Sequence, residues 1–141
     1  MRGHGRQSGF TLIELVVVIT ILGILAAFAV PRFASLEVEA RSAATQALAG
    51  SIRSSSALSH ALWLAQGQPA NVTMEGQAIA IANGYPDRAT VDDTLSDLSG
   101  FTYVAGTGVF SKDGTTANCT VTYTEAAVGA APNIAVDVTG C

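Results

Sequence analysis

From Phe10 to Pro31 the chain reads FTLIELVVVITILGILAAFAVP, a run of 22 residues in which Glu14 alone is charged. As a helix this run would span roughly 33 Å, about the thickness of a bilayer's hydrocarbon core. Water cannot solvate such a surface, so the segment needs lipid or other protein around it. Arg2 and Arg6 lie in the short basic stretch MRGHGRQSG before it. The positive-inside rule then leaves the N-terminus in the cytoplasm and sends the remainder outward.

Three readings of this segment compete. As a secretory signal peptide it offers Ala27-Phe28-Ala29, an A-x-A site after an apolar stretch. As a plain membrane anchor it has the right length. Glu14 counts against both, because a carboxylate at membrane depth costs about 2.5–3.5 kcal/mol on insertion scales and serves no purpose in either. The third reading gives Glu14 a partner. Cleavage after Gly9 would leave a free amine on Phe10, and that ammonium could neutralise Glu14 of a neighbouring subunit. Only an in-register neighbour would relieve the desolvation of the charge.

The run Gly9-Phe10-Thr11-Leu12-Ile13-Glu14, followed by an apolar helix, resembles the processing and assembly signature of type IV pilins and related pseudopilins. The resemblance implies a prepilin leader over residues 1–9, removed after Gly9 by a prepilin peptidase, and N-methylation of Phe10. It implies that Glu14 is the assembly glutamate within a transmembrane helix over residues 10–31. It also makes Pro31 the proline that bends the family's long helix. The implied partners are other copies of the chain in a helical filament, the inner-membrane pilus assembly machinery, and membrane lipid before assembly.

After Pro31 the pattern turns amphipathic. Phe33, Leu36, Ala40, Ala44, Leu48, Ile52, Leu58 and Leu62 recur at three- and four-residue steps, with one six-residue gap around Ser55. They predict a helix with one buried stripe, stopped by Gly67 and Pro69. Gly23 and Pro31 are its weak points, since Gly costs about 1 kcal/mol and Pro about 3 kcal/mol relative to Ala inside a helix. Either they kink the helix gently, or they let it bend or unwind when the subunit leaves lipid for the filament, as the family resemblance implies.

Beyond Pro69 the runs are short and strand-like: residues 71–74 and 77–82 around Glu75-Gly76, 101–105 and 108–112 around Gly106-Thr107, then 119–125 and 133–138. They predict antiparallel hairpins. One helix stripe against one such sheet makes an α+β domain, here a globular domain over residues 32–141 with its helical half ending near residue 66. Thr90-Val91-Asp92-Asp93 has the spacing of a capping box opening a short helix to about Leu98. Asn83-Gly84-Tyr85-Pro86 begins a long link to the sheet. With the VPRFASLE run from Val30, the Glu39-Ala40-Arg41 that follows, and the cysteine placement, it resembles the mannose-sensitive haemagglutinin pilins, a subgroup used for surface attachment.

The chain has two cysteines, Cys119 and Cys141. In an exported domain such a pair is expected to form a disulfide, the alternative being two reduced thiols. Formal net charge is −4, with charged residues only 13% of the chain. No basic patch exists to bind nucleic acid. Asp87, Asp92, Asp93 and Asp97 lack the alternating spacing, central Gly and terminal Glu of a calcium loop, so they read as capping and solvated groups rather than a metal site. His60, with Ser56 four residues earlier, lacks an orienting acid and an oxyanion loop, and reads as a surface or packing histidine. Trp63 reads as core or helix-to-sheet packing. Asn71-Val72-Thr73 and Asn118-Cys119-Thr120 match a glycosylation pattern that chance supplies cheaply. No catalytic, cofactor or metal site is expected.

The reading that results is a structural subunit of an adhesive type IV pilus-like filament, membrane-bound before assembly and extracellular after it. A type II secretion pseudopilin and a membrane-anchored periplasmic binding domain are the alternatives.

Overall fold

The structure, a computed structural model, describes residues 9–115 and 117–141. The leader expected over residues 1–9 falls outside the described residues except for Gly9. A long helix, α1 (Leu12–Ala65), precedes seven strands, and a 3-10 turn at Asp92–Thr94 lies between the third and fourth of them. The described chain falls into two compact units, one ending at Glu37 and one running Val38–Cys141.

In the first unit, residues 12–37 of α1 form helix throughout, with every side chain exposed except a half-buried Ala29. The helix runs on through Gly23 and Pro31. Thr20 meets the polarity problem of an apolar segment locally, donating from Oγ1 to the Val17 carbonyl at 2.8 Å.

The second unit contains the rest of α1 and two antiparallel sheets. The first joins β1 (Asn71–Met74), β2 (Gln77–Ala82) and β3 (Tyr85–Pro86) in that order. The second joins β4 (Phe101–Val104), β5 (Val109–Lys112), β6 (Thr120–Thr124) and β7 (Asn133–Asp137). The α+β expectation holds, and each expected strand is present to within one residue at either end. Two sheets replace the one expected, because β2 pairs with β1 and the short β3 and with none of the four later strands. Asn83 and Gly84 take positive φ (53° and 90°) in a two-residue turn that folds Tyr85–Pro86 back on β2. Asn-Gly is a strong hairpin signal, but a strand this short that ends on Pro does not read as one.

The buried helix stripe is Thr45, Leu48, Ala49, Ile52, Ser56 and Ser59. It corrects the expected one. Phe33, Leu36 and Leu58 are exposed, while Ser56 and Ser59 continue the inward face across the gap at Ser55. Small side chains let the sheets approach: Ser59 Oγ reaches Met74 Sδ at 2.8 Å and Ser55 bonds Thr94 at 2.8 Å, while the buried Ser56 hydroxyl has no partner among the described residues. Leu48, Ala49 and Ile52 pack with Phe110, Val121 and Tyr123 of the second sheet. Leu62 and Trp63 pack with Val72, Met74 and Ile79 of the first. Burying a side chain such as Phe110 or Val121 stabilises by about 1.5–3 kcal/mol.

The capping box expected at Thr90–Asp93 does not form. Thr90 donates its hydroxyl to Asp87 Oδ1 at 2.8 Å and accepts the Ala80 amide at 3.1 Å. With Thr90 tied to β2, the chain makes only the 3-10 turn at Asp92–Thr94, whose capping position is Val91.

Candidate assembly site

The capping box that does form is at the other end of the molecule. Thr11 precedes the first helical residue, Leu12, and Glu14 sits three residues on. Glu14 Oε2 accepts the Thr11 amide at 2.8 Å and the Thr11 hydroxyl at 2.7 Å, and the Glu14 amide donates back to Thr11 Oγ1 at 3.3 Å. Two orphan donors of the helix start are thereby satisfied, with a carboxylate at the positive end of the helix dipole. The signal, Thr-x-x-Glu before an apolar run, is present in the sequence.

Around this first turn the surface is apolar and open. Phe10 is 94% exposed, and with Ile13, Leu15, Val17 and Val18 it lines a hollow of about 520 Å³ that includes Glu14. Gly9 and Gly23 are required by no contact among the described residues. A Cβ built at either meets no atom within 4 Å, and neither has positive φ. Gly9, Phe10 and Glu14 thus share one helix start, while Gly23 and Pro31 lie further along α1.

Cys119 and Cys141 are disulfide-bonded across 22 residues, with Cα atoms 4.7 Å apart. The bond is seated on α1. Thr45 is fully buried, with Oγ1 3.3 Å from Cys119 Sγ and 3.8 Å from Cys141 Sγ. Arg41 Nη1 donates to the Cys141 carbonyl at 3.4 Å, and the Gly140 amide donates to the Asn118 carbonyl at 2.9 Å. Thr45 carried no sequence signal, since nothing local shows which helix residue a distant disulfide will meet.

The remaining candidates have structural roles. Asp87 holds Thr90, and Asp97 caps Ser99, whose hydroxyl and amide keep that carboxyl below its ordinary range. Partial burial pushes Asp92 upward. His60 packs on Tyr85, 4.3 Å between ring centroids, and on Trp63 at 5.6 Å. Among the described residues no cluster of three metal-ligating side chains occurs.

Comparisons with known proteins converge on the helix start. A family described as the prokaryotic N-terminal methylation motif matches residues 4–30, which include Gly9, Phe10 and Glu14. The chain is 36% identical over 101 residues to the type IV major fimbrial protein FimA of Dichelobacter nodosus, spanning 67% of this chain and 62% of that protein. It is 35% identical over 114 residues to the type IV narrow pilus major component PilA5 of Thermus thermophilus. No solved structure matches it significantly. The PilA5 match covers 81% of this chain and 79% of the relative, far more than the length of the methylation motif, and the chain belongs to the type IV pilin family.

Proposed function

We propose that the chain is a structural, non-enzymatic subunit of a type IV pilus-like filament, cut after Gly9, methylated on Phe10 and polymerised through α1. The observation that carries this reading is the exposed apolar helix start with its one carboxylate. Residues 12–37 leave Leu12, Ile13, Val17, Ile21 and Phe28 in the open. Lipid can cover them in the precursor, and helices of other copies can cover them in a filament. The helix Leu12–Ala65 contains a stretch long and apolar enough to cross a membrane.

Glu14 acts in both settings. In the single chain Thr11 engages one carboxylate oxygen. In the filament the Phe10 ammonium of a neighbouring copy would supply a full counter-charge, which favours the in-register arrangement. The empty space around a Cβ at Gly9 supports a requirement set by the processing peptidase rather than by the fold. Gly23 and Pro31 supply the stretch that bends as the subunit is lifted out of lipid by the inner-membrane assembly machinery. The outward unit then forms the extracellular surface and serves adhesion. The Asn83–Pro86 run, the VPRFASLE stretch from Val30 and the cysteine placement support the mannose-sensitive haemagglutinin subgroup. The test is the mature N-terminus by mass spectrometry: the reading requires a methylated Phe10. A chain starting at Val30 would make it a secreted protein, and an intact Met1 a simple anchor.

A further inference from the structure

Processing and assembly through the helix start leave Arg32 without a task. It is the one charged residue between Glu14 and Glu37. It is exposed, and its backbone carbonyl accepts from Ser35 Oγ at 2.9 Å, but no described residue bonds its guanidinium. Phe28 lies one turn before it on the same helix face and Leu36 one turn after, with Phe33 beside it, and all three are exposed. A cation on the outward side works against the orientation that Arg2 and Arg6 set, so topology supplies no reason for it. Water suits the guanidinium but not the apolar side chains around it. Lipid chains suit those side chains but not the charge.

The membrane surface suits both. From Leu12, the first residue of α1, to Arg32 the helix advances roughly 30 Å, the thickness of a bilayer's hydrocarbon core. With Leu12 at the inner boundary, Arg32 reaches the plane of the outward phosphates. Its long stem can stay beside lipid chains while the planar guanidinium bonds phosphate oxygens. Exposed apolar surface does not end at Pro31, because Phe33 and Leu36 continue it. Apolarity alone would let the helix sink further and draw these two into the core. The charge on Arg32 opposes that, since sinking by one turn would carry the guanidinium roughly 5 Å below the phosphates.

We infer that Arg32 binds a lipid phosphate of the outward leaflet and thereby fixes the depth of the precursor in the membrane, holding Gly9 at the inner surface. The inference rests on the membrane-spanning precursor proposed above and adds the ligand that sets its depth. The full-length chain, with its arginines carrying 13C at Cζ, is reconstituted at high lipid excess in vesicles of phosphatidylcholine and phosphatidylglycerol. Solid-state 13C–31P dephasing reports contact between guanidinium and phosphate. A nitroxide at the end of the lipid chains broadens the residues nearest the bilayer centre.

In the unaltered chain the broadening should be strongest near Ile21 and Leu22. Arg32→Gln should move that maximum toward the C-terminus by about one turn, three or four residues. Arg32→Lys keeps the charge and should leave the maximum in place. Because it also removes the guanidinium carbon, the dephasing it loses belongs to Arg32. The side chain is exposed, so neither change should unfold the chain, which circular dichroism checks. Dephasing undiminished in Arg32→Lys, an unmoved maximum in Arg32→Gln, or a guanidinium bound to a carboxylate of a second copy instead of phosphate would overturn the inference. A chain that does not span shows no broadening over residues 12–31, and that result overturns the membrane-spanning reading along with this one.

Discussion

Residues 12–37 and residues 38–65 lie on one helix, yet they are built for different surroundings. In the first stretch even Phe28 is 75% exposed and the chain supplies no cover. In the second, Thr45, Ala49, Ile52 and Ser59 are completely enclosed by strands of the same chain. The strands account for the packing of the second stretch, and no described residue packs in that way on the first.

The sharpest way to break this contrast is Glu14→Ala. It should abolish or sharply reduce filaments while leaving leader removal, membrane insertion and the melting temperature of the strand-rich unit unchanged. Normal piliation would sink the register argument, and a fall in melting temperature would show that the two stretches are not separable in this way.

Phe110→Ala tests the other side. Phe110 is fully buried against α1 and β6, so truncation should cost about 3–5 kcal/mol, read by denaturant unfolding, with membrane insertion unaffected. A loss below about 1 kcal/mol would mean that the core closes around the gap. Cys141→Ser should cost roughly 3 kcal/mol on the chain-entropy account of a loop of this size, and should lower pilus yield or adhesion without slowing leader cleavage. A thiol count on denatured, unreduced protein checks the starting point: two free thiols would contradict the bond.

The smallest effect concerns pH. Burial pushes Tyr103 and Tyr123 up from 10.0 to about 12, each with its hydroxyl on a backbone carbonyl, Arg88 and Pro86 respectively. Because the folded values lie above the unfolded one, the folded state holds more protons between them. The stabilisation is therefore complete below about pH 10 and is lost as pH rises toward 12. Tyrosinate absorbance and unfolding should advance together in that window. Free ionisation of both phenols at pH 10 with the fold intact would contradict their burial.

Much was legible along the chain. The apolar run and the Gly9–Glu14 motif need only composition and order, because both are local stretches of the chain. The six expected strands were legible because alternation and Gly-containing turns are local too. The inward helix face was only half legible. Leu48 and Ile52 announce themselves, but Ser56 and Ser59 are buried on the strength of their position, not their polarity. Identical spacing at Thr11–Glu14 and Thr90–Asp93 led to opposite outcomes. At Thr11 no other described residue competes for the hydroxyl, so the local rule operates. At Thr90, Asp87 and the Ala80 amide take the hydroxyl first.

The sequence by itself determined that the chain has a membrane-compatible helix with one carboxylate, an α+β unit, and two cysteines able to pair. Those follow from short-range periodicity and from residue chemistry. Only the tertiary structure decided that the strands divide into two sheets, that the disulfide rests on Thr45, and that His60, Trp63 and Tyr85 meet. Each of these joins residues far apart in the chain, 74 positions in the case of Thr45 and Cys119. Their partners are chosen by how the sheets dock on the helix, and no local pattern encodes that choice.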